Sequence, residues 1–85
     1  MPRRFVWAPV TRASYYEVQF FRSGKKIIEA RVKRPTLTLS AQWNYGGHRY
    51  SLVRGRYRWV VRPGYGRPSA AKLGPVVVFS TLVIK

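Results

Sequence analysis

The chain has 85 residues and no cysteine, with seventeen lysines and arginines against two acidic side chains and a formal charge of +15. That length leaves room for one domain, residues 1–85, with a single modest core, and it excludes a second domain. Disulfides are excluded too, and with one histidine and no aspartate the parts of a structural zinc site, a Ser-His-Asp set or a Cys-His set are missing, a glutamate being the one carboxylate that could stand in.

Stability must therefore come from packing of aromatic and branched side chains, while so strong a positive charge attracts polyanions and repels other copies of the chain. The start, Met1-Pro2-Arg3-Arg4-Phe5, lacks the apolar run of a signal peptide, and the longest apolar stretch, Pro75–Phe79, is too short to span a bilayer. No membrane insertion is expected.

In chain order, Arg3–Val10 alternates with Phe5 and Trp7 on one side until Pro9 stops ladder hydrogen bonding, which predicts a first strand. Tyr15–Arg22 predicts a second, with Tyr16, Val18 and Phe20 on one face and Tyr15, Glu17, Gln19 and Phe21 on the other. Ser23-Gly24 is a turn signal before Lys25–Val32, a third strand with Ile28, Ala30 and Val32 inward, so the two should form a hairpin. Pro35 interrupts before Thr36–Leu39, a short strand with Leu37 and Leu39 inside. Ser40–Tyr50 predicts a loop or a small extra hairpin tipped by Gly46-Gly47.

Leu52–Pro63 carries the clearest pattern. After Gly55, Tyr57, Trp59 and Val61 are bulky and apolar while Arg56, Arg58 and Arg62 alternate with them, interrupted only by Val60. That is a half-buried strand, because a helix would project Trp59 among the arginines. The glycines and prolines of Pro63–Ser69 predict an irregular segment, and Ala70–Leu73 one helical turn at most. Pro75–Ile84 predicts a last strand or two, with Ser80-Thr81 allowing a bulge or bend. Five to seven short strands with no amphipathic helix predict an all-β sandwich or barrel with a core of Trp7, Tyr16, Val18, Phe20, Leu37, Leu39, Tyr57, Trp59 and Val61.

Trp7-Ala8-Pro9, then Tyr16 and Val18, then Leu52 followed by Gly55 and Tyr57-Arg58-Trp59-Val60-Val61 resemble a fibronectin type III module. In that family a core Trp lies on strand B, a Tyr-x-Val pattern on strand C, and a Leu…Gly…Tyr run opens strand F. The likeness covers about Arg3–Ile84 and is strongest to short, arginine-rich modules of actinobacterial surface and hypothetical proteins, which also carry stretches like Trp43–Gly47 and Gly64–Gly66. It implies an immunoglobulin-like β-sandwich at a cell surface or outside the cell, with strand A missing or reduced to Pro2–Arg4. The Leu52-to-Tyr57 spacing is one residue shorter than is common there, which weakens the expectation of the hydrogen bond that ties this tyrosine to the backbone. No Arg-Gly-Asp sequence supports integrin-type adhesion.

Glu17 and Glu29 lie on predicted strands among cations, which points to charge pairing or solvation rather than to an acid/base pair. His48 reads as an exposed loop residue and Gly64-Tyr65-Gly66 as a turn, since no helix follows to complete a phosphate loop. No cofactor or metal is expected. The candidate binding face is Tyr15, Gln19, Phe21, Arg56, Arg58 and Arg62, where rings beside guanidinium groups suit bases and phosphates. The function expected is a non-catalytic structural spacer or protein-interaction module joined to a protein partner or neighbouring domains. Two alternatives stand beside it: a nucleic-acid or polyanion binder, and a subunit that self-associates through exposed edge strands.

Overall fold

The computed structural model describes residues 3–67 and 72–85, which form an all-β structure of antiparallel strands. In chain order these are β1 (Arg3–Val6), β2 (Tyr15–Arg22), β3 (Lys25–Val32), β4 (Thr36–Leu39), β5 (Gln42–Tyr45), β6 (His48–Ser51), β7 (Gly55–Gly64) and β8 (Val78–Ile84). They make a four-stranded sheet in the order β3-β2-β7-β8, a two-stranded sheet β1-β4, and the hairpin β5-β6. The arrangement is sandwich-like, because the inner side chains of β1 pack onto the inner face of the four-stranded sheet.

That packing follows from alternation. On β2, Tyr16, Val18 and Phe20 point inward, and on β7 Tyr57, Trp59 and Val61 do the same. β1 faces them with Phe5, and Trp7 directly after it lies on the same side. Phe5 meets Phe20 edge-on at 5.1 Å and Trp59 at 5.1 Å, Trp7 meets Tyr16 edge-on at 5.5 Å, and Phe20 stacks on Trp59 at 6.0 Å. Such pairs contribute about 0.5–1.5 kcal/mol each beyond the area they bury. Two predicted core residues, Leu37 and Trp59, are half-buried and packed against the buried cluster, whereas Phe5, Ile27 and Ile28 belong to it.

Ile27 is there because of a shift of register. Phe20 pairs with Ile28 but Phe21 with Lys26, so one extra residue is accommodated on β3 and both isoleucines turn inward. The β2-β3 hairpin closes through Ser23 and Gly24, with φ of 52° and 77°, and the β5-β6 hairpin through Gly46 and Gly47, with φ of 59° and 80°. Two successive positive φ values match the right-handed twist of the flanking strands. The second hairpin is stitched to the sheet where Trp43 Nε1 donates to the Ile27 carbonyl at 2.8 Å.

The first strand ends at Val6 rather than Val10, with Trp7 N donating to the Pro35 carbonyl at 3.1 Å beyond it. Arg3 and Arg4 begin β1 itself, paired with Leu39 and Thr38; Pro2, the other part of the expected residual strand A, lies outside the described residues. The last strand runs unbroken through Ser80-Thr81 in register with β7.

The irregular segment expected at Pro63 starts later, because Pro63 and Gly64 complete β7. The carbonyls of Val61 and Pro63 accept from Val77 and Gly74, so the missing donor of Pro63 faces the side on which the β7-β8 ladder has already ended at Val61–Val78. Gly64 is required for a different reason. A Cβ there would lie 2.1 Å from Cζ of Tyr15, whose ring covers the glycine. The expected helical turn at Ala70–Leu73 falls partly on Ala70 and Ala71, outside the described residues; Leu73 pairs with Gly64 in an isolated bridge.

Tyr57 does tie itself to the backbone: its hydroxyl donates to the Val53 carbonyl at 2.6 Å and accepts from Val53 N–H at 3.1 Å. The bond forms despite the shorter spacing from Leu52, with Gly55 between the two partners at φ of 148°. Tyr57→Phe is expected to lower stability by about 1–2 kcal/mol in urea denaturation with the m-value unchanged, since the ring stays and only the two hydrogen bonds go. Trp59→Ala should lower it by about 3 kcal/mol, read as a fall in melting temperature. An unchanged melting temperature would mean that the ring does not bridge the layers.

Candidate functional site

The outer face of the four-stranded sheet is laid out by register. Arg31, Glu17 and Arg62 form one row across β3, β2 and β7; Glu29, Gln19, Val60 and Phe79 form the next; Phe21, Arg58 and Thr81 the third; and Arg56 with Val83 the last. Alternation that sends Tyr57, Trp59 and Val61 inward necessarily places Arg56, Arg58 and Arg62 here, and all three are exposed.

Both acidic side chains of the protein lie toward one end of this face and are hydrogen-bonded there. Glu17, 6% exposed, accepts from Arg31 at 3.3 Å and from Gln19 Nε2 at 2.9 Å. Glu29 accepts from Lys26 Nζ at 3.0 Å and from the same Gln19 nitrogen at 3.0 Å. Gln19 is therefore the centre of a polar chain, Arg31–Glu17–Gln19–Glu29–Lys26, rather than a free contact for a partner. The hydrogen bond from Lys26, then that from Gln19, holds the Glu29 carboxyl below its ordinary range against the opposing effect of desolvation. Lys26 is raised in turn, chiefly by its hydrogen bond to Glu29.

Tyr15 is likewise not open on this face. It was expected on the open face, yet it is 1% exposed, pressed onto Gly64 and lying beneath the Arg31 guanidinium at 5.5 Å. The bare backbone of Gly64 leaves a depression that the ring fills, and Arg31, held over it by Glu17, covers the other side. A buried ring cannot stack on a base. Its hydroxyl has no hydrogen-bond partner among the described residues, nor has Trp7 Nε1.

At the far end, Phe21, Arg56 and Arg58 meet as predicted. With Ser23 and Gly24 from the β2-β3 turn they line an open groove of about 330 Å³. Arg62 stands apart from it, opposite Glu17. Sequence reasoning missed Phe79, which is 66% exposed, the most open large apolar side chain described, with the Arg58 guanidinium 5.4 Å from its ring centre. The available signal was parity: Phe79 pairs with Val60, so it shares the face of Arg58 and Arg62. The result is a cationic strip bordered by two phenyl rings, with no carboxylate in the groove. Among the described residues the ion pairs are Lys26–Glu29 and Arg31–Glu17, which leaves Arg56, Arg58 and Arg62 outside them.

His48 is exposed at the start of β6, 6.3 Å from the Tyr50 ring, and among the described residues no cluster of His, Cys, Asp or Glu side chains is suited to a metal. No described helix is long and apolar enough to cross a membrane. No family model, curated protein or solved structure matches the chain.

The depressed Glu29 carboxyl stabilises the fold above the ordinary value of 4.5, and this contribution is lost as pH falls through the lower folded value. Glu29→Gln is therefore expected to flatten the acid limb of a stability-versus-pH curve slightly and to leave the neutral region almost unchanged, because the pair with Lys26 is largely exposed. A large loss at neutral pH would assign Glu29 a greater structural role than its geometry supports.

Proposed function

We infer that the chain is a non-catalytic module of the fibronectin type III kind that presents the Arg56–Arg58 end of its outer sheet face to a polyanion, single-stranded nucleic acid being the form this face suits best. The fold reading is supported by strand order. In immunoglobulin-like sandwiches strands C, F and G are neighbours and strands B and E lie in the opposite sheet. With β1 as B, β2 as C, β4 as E, β7 as F and β8 as G, the orders β2-β7-β8 and β1-β4 agree with that scheme, and β3 extends the sheet beyond C. The bond from Tyr57 back to Val53, near the start of β7, corresponds to the tyrosine corner of such folds.

The observation that carries the binding reading is segregation of charge. Both carboxylates are held by Arg31, Lys26 and Gln19, so the exposed guanidinium groups of Arg56 and Arg58 project over the groove without an anionic partner among the described residues. Polyanion phosphates supply that partner, with release of condensed counterions as the driving force. Phe21 and Phe79 offer ring faces to unstacked bases, a contact of about 1–3 kcal/mol per base. This favours a single strand over a duplex, whose bases are already stacked. A role as spacer or protein-interaction module is compatible with the same surface if the partner is itself strongly acidic.

The deciding comparison uses two variants of equal net charge, Arg56→Glu/Arg58→Glu on the face and Arg3→Glu/Arg4→Glu on β1 of the opposite layer. With a fluorescent oligothymidine as probe, the first should weaken binding about tenfold more than the second at moderate salt, with both folds intact by circular dichroism. Equal weakening would show that only the overall charge matters and would remove the site.

A further inference from the structure

The two edges of the four-stranded sheet are treated in opposite ways. Along β3 the edge is blunted: Lys25, Lys26 and Arg31 lie on the strand, the extra residue at Ile27 breaks the ladder, and the Ile27 carbonyl is occupied by Trp43. These are the usual devices against edge-to-edge pairing. Along β8 none is present. Val78–Ile84, VFSTLVI, holds no charged residue and no proline in a chain of charge +15, and it pairs with β7 without a register shift. Its outer edge meets no strand among the described residues. Four of the six exposed large apolar side chains, Val76, Val77, Phe79 and Val83, belong to this strand or lead into it.

We propose that β8 pairs antiparallel with β8 of a second copy, joining two four-stranded sheets into one of eight. Two observations choose a second copy over another strand. First, a strand of this chain that carries lysine or arginine is repelled by the β7 arginines one strand away, and β8 is the longest charge-free strand described. Second, an antiparallel pair of identical strands has two-fold symmetry and closes on itself, so the assembly stops at a dimer. Neither β1 nor β4 competes: each has four residues, and β1 begins with Arg3 and Arg4.

Charge sets the condition for assembly. In the paired sheet the arginine columns of the two β7 strands are three strand spacings apart, about 14 Å at about 4.8 Å per spacing. That exceeds the screening length of about 8 Å at physiological salt. Repulsion between copies is therefore largely screened at physiological salt and dominates only when salt is low. Pairing strengthens with added salt, the reverse of the salt dependence of polyanion binding, so the two readings fail independently.

Sedimentation equilibrium from about 0.05 M to about 0.5 M salt is expected to show monomer giving way to dimer as salt rises. Ser80 and Thr81 are both exposed at the middle of β8, so Ser80→Lys/Thr81→Lys should leave the melting temperature of the monomer nearly unchanged. The same substitutions place like charges across the dyad and should weaken dimerisation about tenfold or more. Hydrogen exchange at high salt should slow at amides of β8 and not of β1 in the parent chain. A monomer at every salt concentration, or a dimer indifferent to the two lysines, would overturn the proposal.

Discussion

The inter-layer contact at Trp59 is the constraint on which the rest of the molecule depends. Its ring stacks on Phe20 at 6.0 Å within the sheet and meets Phe5 and Trp7 from the opposite layer at 5.1 and 6.3 Å. Because side chains alternate along a strand, fixing that one residue inward fixes the phase of all of β7 and, through its two ladders, of β2 and β8. A slip of one residue would bury three arginines and expose Tyr57, Trp59 and Val61. Burying unpaired guanidinium groups is far more costly than any packing gain, so the register has no near competitor.

The same alternation that builds the core sorts the charge. With seventeen cations and two acidic side chains, pairing cannot neutralise this surface; it can only decide where the neutralised part lies. Glu17 and Glu29 both face outward on neighbouring strands and share Gln19, so the acidic character collects over β3 and β2. The cationic character is left over β7, at the end nearest the β2-β3 turn. The proposed binding surface thus follows mainly from strand register, with the β2-β3 turn at its end. Arg31 links the two regions of structure, since the contact that holds it to Glu17 also sets it over Tyr15 and closes the depression at Gly64.

Much of this was legible in the residues because local signals agreed with the tertiary outcome. Ser23-Gly24 between two alternating segments specified the β2-β3 hairpin, and the Tyr57–Val61 phase specified β7. The failures share a cause: each residue was governed by a neighbour across strands that its own segment does not reveal. Pro63 and Gly64 read as breakers, yet Pro63 loses no ladder bond at a position its partner strand does not reach, and Gly64 is covered by Tyr15. Tyr15 had the right parity for the open face and was buried by that same glycine. Ile27 changed face through a register shift that alternation cannot anticipate, and Phe79 joined the cationic strip only through its pairing with Val60. Phe21, Arg56 and Arg58 were found because parity alone decides their placement.

The proposed polyanion binding and strand pairing would draw on neighbouring parts of one sheet, and their energetics would be coupled. The face uses side chains of β7 and β8 above the sheet, whereas pairing uses the backbone edge of β8 within it, so each leaves the other's atoms free. An anion laid over Arg56 and Arg58 removes the repulsion that opposes the approach of a second copy, and two paired copies align two cationic strips on a single continuous surface. Linkage makes this reciprocal: whatever factor the anion adds to pairing, pairing adds to anion affinity. If both proposals hold, high salt and a bound polyanion would favour the same dimer by different means, one by screening the arginines and the other by neutralising them, and low salt without an anion would isolate the monomer.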